Sequence, residues 1–145
     1  MSSFKLYVIM LVTLAVLALA IPCSAETWGK WHVHVVNGLS SRRTLFVHCK
    51  SKDDDLGIHN LAVGTETNWS FRENFIGTTL FWCYMRTDRE EYASFDVFWE
   101  EHDHKWLQTR CNWKDCIWTA RDDGIYIKNI PNNSDELIHK WGSHW

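Results

Sequence analysis

Apolar and polar side chains alternate along most of the chain beyond its first 25 residues or so. Trp31, Val33 and Val35 fall on one face of an extended segment, with His32 and His34 on the other. Leu45, Val47 and Cys49 repeat the pattern, as do Phe95, Val97 and Trp99. A period of two marks a strand with one buried face, because successive side chains point to opposite sides of the pleat. Further strands are predicted over Ile58 to Val63, Thr67 to Arg72, Thr79 to Met85, Lys105 to Arg110, Asp115 to Thr119 and Gly124 to Lys128. Between the runs, Asn37-Gly38, Asp54-Asp55-Leu56-Gly57, the stretch from Arg86 to Glu91 and Asp122-Asp123-Gly124 carry turn chemistry. Short strands at this spacing predict an all-β fold, a small antiparallel β-sandwich. No helical period persists over three turns, and the tail from Ser134 to Trp141 reads as one helical turn or a frayed end.

The first residues follow a different rule. Lys5 precedes an apolar block from Leu6 to Ile21, and Cys23-Ser24-Ala25 places a small residue where a leader is cut. Residues 1–25 therefore read as a secretory signal and 26–145 as one domain. A single-pass anchor is the rival, but no basic stop-transfer cluster follows the block. No later segment has the length and purity to span a bilayer, so no stable membrane insertion is expected after cleavage.

Removing 25 of 145 residues leaves 120, which suits one core. Lys5 is the only charged residue lost, so 14 basic stand against 18 acidic residues. That balance argues against nucleic acid as a partner. Cys23 leaves with the leader, and Cys49, Cys83, Cys111 and Cys116 remain. An even count in an exported domain reads as two disulfides stapling the sandwich, whereas zinc would need a second close pair beside Cys111 and Cys116. Sequence alone does not choose the pairing. Crosslinks that tie distant strands are preferred, because a longer closed loop constrains the unfolded chain more.

Several fragments occur in a telling order: Val33-His34-Val35-Val36-Asn37, then Val47-His48-Cys49-Lys50-Ser51-Lys52-Asp53-Asp54-Asp55-Leu56-Gly57, Trp69-Ser70-Phe71, Thr79-Leu80-Phe81-Trp82-Cys83, Cys111, Cys116-Ile117-Trp118 and Asp123-Gly124-Ile125-Tyr126. Together they resemble the plant self-incompatibility protein family, or S-protein homologues, over nearly all of residues 26–145. The resemblance implies a secreted two-disulfide β-sandwich without known enzymatic activity or cofactor. It also implies a signalling ligand read by a cell-surface receptor on a target plant cell, as in pollen rejection. A secreted lectin-like or membrane-acting defence protein is the alternative.

Loops are then the expected contact surface, since they vary without disturbing a crosslinked core. Candidate contacts are Lys50, Lys52, Asp53 and Asp54; Arg86, Asp88 and Arg89; and Trp113 with Lys114. The run Asp53-Asp54-Asp55 invites a calcium reading, but aspartates in a turn accept backbone N–H bonds and Gly57 supplies positive φ, so no metal is expected there. His32 with His34, and His102 with His104, are weighed as metal pairs and read as ordinary strand or surface histidines. Next to Cys49, His48 should point to the opposite face, which leaves no activated thiol. Trp69, Trp82, Trp99 and Trp118 are expected in the core, whereas Trp28, Trp106, Trp113, Trp141 and Trp145 are candidate anchors. Asn68 and Asn132 head glycosylation sequons, with Asn132 the easier acceptor. Glu90 with Glu91 and Glu100 with Glu101 are sequence neighbours that would face apart in a strand, so no catalytic carboxylate pair is expected.

Overall fold

Alternation around Trp31 becomes a strand whose odd-numbered side chains are all buried, and the pattern recurs until two sheets face each other. The structure, a computed structural model, describes residues 2–19 and 29–142. Its elements run α1 (Ser3–Leu19), β1 (Lys30–Asn37), β2 (Leu45–Ser51), β3 (Asp55–Leu61), β4 (Glu66–Arg72), β5 (Leu80–Thr87), β6 (Tyr92–Trp99), α2 (Trp106–Arg110), β7 (Asp115–Arg121), β8 (Gly124–Asn129) and β9 (Ser134–His139). One sheet has the order β4-β1-β7-β8-β9 and the other β3-β2-β5-β6. Six of the seven strand pairings are antiparallel. The exception is β1 with β7, which run parallel, so the sandwich carries one parallel seam in an otherwise antiparallel frame.

The core lies between the sheets. Val33 and Val35 of β1, Trp118 of β7 and Ile125 and Ile127 of β8 meet Val47 of β2, Met85 of β5 and Phe95 and Val97 of β6. Each large aliphatic or aromatic side chain so buried contributes about 1.5–3 kcal/mol. The indole of Trp118 also donates to the Val97 carbonyl at 2.9 Å, a hydrogen bond that crosses from one sheet to the other. Trp69 and Trp99 pack partly against this core, and Trp82 is half-buried.

Both disulfides are present. Cys49 and Cys83 face each other directly on β2 and β5, 34 residues apart in sequence. Cys111–Cys116 spans only five residues, which corrects the preference for long closed loops in this pair. It closes a turn in which Asn112 and Trp113 both take positive φ. That backbone is costly for a bulky residue, and the crosslink joins hydrogen bonds from Trp113 N to Gln108 O and from Asp115 N to Cys111 O in holding it.

Two expected elements are corrected. Lys105 to Arg110 is a short helix rather than a strand, because the Glu101 carboxylate accepts the Trp106 N–H while Leu107 and Gln108 turn into the interior. The tail is a strand, β9, which pairs with β8 at the sheet edge. Gly124 permits that approach: a Cβ there would come within 2.3 Å of the His139 carbonyl oxygen. Helix α1 coincides with the apolar leader block, whereas Cys23-Ser24-Ala25, Trp28 and Trp145 lie outside the described residues. Among the described residues no helix is long and apolar enough to cross a membrane.

Candidate functional site

Strand register sorts the loops into two ends. Ser51 pairs with Phe81 and Leu45 with Thr87, so the β2–β3 turn lies beside the β4–β5 loop while the β5–β6 turn is at the opposite end. The first end is where Lys50, Lys52, Asp53 and Asp54 sit, next to a cleft of about 510 Å³ shared with Asn74 and Ile76. Trp113 and Lys114 belong to the same end, since Trp113 and Glu73 line one smaller cleft. Arg86, Asp88 and Arg89 are at the other. Six of the nine candidate contact residues are thus brought together and three are not.

At the β5–β6 end the charges are largely committed to the fold. Arg43, almost wholly buried, spreads its guanidinium over Asp88 at 3.0 Å, Glu91 at 2.8 Å and Asp122 at 2.8 Å. This ties three turns together. Hydrogen bonds from Arg43 and Thr87 hold the Glu91 carboxyl below the usual range; hydrogen bonds from Ser40, helped by Arg43, do the same for Asp122. Arg86 is held by Glu90 at 2.9 Å and lies over the Phe46 ring.

The first end is built differently. Within the β2–β3 turn, Ser51 Oγ accepts from Asp54 N and Asp55 Oδ1 accepts from Gly57 N, the turn chemistry expected of this run. The Gly57 N–H and the His48 ring lower the Asp55 carboxyl, and His48 Nε2 lies 2.7 Å from it on the face away from the buried Cys49. Among the described residues no group of three or more His, Cys, Asp or Glu side chains is placed to hold a metal ion. His34 bridges Glu66 at 3.0 Å and Asp115 at 3.4 Å, linking three adjacent strands. Glu101 is likewise occupied, by the Trp99 indole and the Trp106 backbone.

The β4–β5 loop holds residues that sequence reasoning missed. Phe75 is fully exposed and Ile76 is 82% exposed. Their backbone is nevertheless well anchored: Asn74 Oδ1 accepts from Thr78 N, Thr79 Oγ1 accepts from Asn74 N, and Gly77 at φ 74° donates back to the Asn74 carbonyl. Asn and Gly flanking two apolar residues were the available signal of a turn tip. Trp113, 57% exposed, adds an indole at the same end. Asn68 and Asn132 are both exposed, so either side chain is sterically open to a glycan.

Comparison with known proteins agrees with this architecture. The family model for plant self-incompatibility protein S1 matches residues 32–141. S-protein homolog 1 of Arabidopsis thaliana is 47% identical over 117 residues, covering 81% of this chain and 75% of the relative. Self-incompatibility protein S1 of Papaver rhoeas is 34% identical over 107 residues, 74% of each chain. A solved structure of SPH (self-incompatibility protein homologue) proteins, described as small, highly stable and secreted from plants, superposes with a TM-score of 0.61 at 22% identity, covering 79% of this chain and 96% of that one. With its sandwich, its two disulfides and this match across most of its length, the chain belongs to the plant self-incompatibility protein S1 family.

Proposed function

We propose that the protein is a secreted extracellular signalling ligand, read by a cell-surface protein receptor on a target plant cell, of the type that acts in self-incompatibility. Residues 1–25 serve as the signal and 26–145 as the ligand, with glycans on Asn68 or Asn132 and no catalytic role. Family membership supports the class, and one observation carries the ligand reading: Phe75 is fully and Ile76 largely exposed to water on a hydrogen-bonded turn. Solvent exposure of two large apolar side chains brings no folding gain, and a fixed backbone lowers the ordering cost of inserting them into a partner. Lys50, Lys52, Asp53, Asp54, Trp113 and Lys114, at the same end of the sandwich, supply partner choice.

The test is binding of labelled, oxidised protein to pollen and to protoplasts from each tissue of the source plant, with cytosolic calcium recorded. Saturable binding that Phe75→Ser/Ile76→Ser weakens at least about tenfold is expected, since buried aromatic anchors contribute 2 kcal/mol or more. Equal binding by the variant overturns the reading. The same apolar tip also favours a second one, a membrane-acting defence protein; sedimentation with protein-free anionic vesicles that needs Phe75 and Ile76 would select it instead.

A further inference from the structure

The cleft at the open side of the sandwich shares no lining residue with those beside the Phe75 tip. It is about 370 Å³ in volume, lies where the edge strands β6 and β9 meet α2, and is lined by Asp96, Trp99, Trp106, Ile138 and His139. Its aromatic walls are fixed in advance. Trp99 and Trp106 stack with ring centres 5.9 Å apart, the Trp99 indole donates to Glu101 at 2.8 Å, and the Arg110 guanidinium covers Trp106 at 4.0 Å while bonded to Glu136.

Asp96 is the anomaly. It is half-buried, and it has no hydrogen-bond or ion-pair partner among the described residues. Burial pushes its carboxyl up. Burial pushes the neighbouring His139 down, disfavouring its charged form. A carboxylate left in this state costs stability unless something supplies a counter-charge.

Which occupant suits the cleft follows from its polar inventory. A sugar ring presents several hydroxyls that each need a donor or an acceptor; the lining side chains offer one carboxylate, Asp96, one imidazole, His139, and the indole N–H of Trp106, since that of Trp99 is committed to Glu101. An ammonium or guanidinium on an apolar stem needs one carboxylate and aromatic walls. We propose that this cleft takes the side chain of a lysine or arginine from a protein partner, with its stem against Trp99, Trp106 and Ile138 and its charged head on Asp96. This rests on the ligand reading only in taking the occupant to be part of a protein, and small probes read the cleft with no receptor present.

The probes are Nα-acetyl-lysine methylamide, the isosteric Nα-acetyl-norleucine methylamide and methyl β-glucoside, titrated into oxidised protein secreted by yeast grown on 15N-ammonium. The indole N–H signals of Trp99 and Trp106, assigned with single Trp→Phe variants, should shift saturably with the lysine probe and stay put with the other two. Asp96→Asn should weaken the lysine probe by about tenfold or more, as expected for loss of a partly desolvated ion pair. Raising the salt concentration on the unmodified protein should weaken it as well, a measurement that holds if the variant does not fold. No shift with the lysine probe, an equal response to norleucine, a response to the glucoside alone, or undiminished binding by a folded Asp96→Asn protein each overturns the proposal.

Discussion

His34 shows how one side chain links three strands. Burial opposes its charge, yet the hydrogen bonds to Glu66 and Asp115 outweigh that effect and raise its pKa above the ordinary 6.5. The folded state therefore holds this proton more tightly than the unfolded chain, and the stabilisation is full below 6.5 and lost as pH rises through the folded value. His139 acts in the opposite sense because burial lowers its pKa. Urea midpoints of the protein and of His34→Gln should thus differ most below pH 6.5 and draw together as pH rises above it. A constant difference across that range would mean that the imidazolium contributes nothing. At this scale the sequence was partly legible. It placed His34 with His32 on the outer face of a strand, but the acids that meet it come from residues 32 and 81 positions away, which no local pattern displays.

Elements were readable where one face of a strand is buried and the other is not. β1, β2 and β6 have that asymmetry, and their alternation announced them. β9 does not: it is a largely exposed edge strand that owes its shape to β8. α2 is too short for a helical period and exists because Glu101 and the Cys111–Cys116 crosslink define its surroundings. The crosslinks should also differ in weight. By loop-closure entropy, the 34-residue separation of Cys49 and Cys83 gives about 4 kcal/mol and the five-residue separation of Cys111 and Cys116 about 2 kcal/mol. Paired Cys→Ala variants compared by urea unfolding should rank in that order. The reverse would show that the short crosslink acts chiefly through the positive-φ turn at Asn112 and Trp113 in the folded protein.

The whole molecule has two unlike ends. One gathers its charges inward on Arg43; the other offers Phe75, Ile76 and Trp113 outward. If recognition belongs to the Phe75 end, Arg89→Glu at the Arg43 end should leave cell binding within about twofold, as expected of a rim charge far from the contact, whereas Lys52→Glu/Asp53→Lys should change it. Parallel effects at both ends in the same cell-binding assay would place contacts on each. The division was invisible in the chain itself, because it depends on strand register: loops 20 or more residues apart become neighbours only when Ser51 meets Phe81.

β1, the first strand of the sandwich, is an interior strand, flanked by β4 on one side and by β7 on the other. A chain emerging amino end first must therefore keep β1 half-paired until Arg121 has been delivered, since β7 ends there. Assembly is consequently a late, all-at-once event favoured after synthesis is finished, and fragments that stop short of β7 would expose a bare edge prone to sticking to one another.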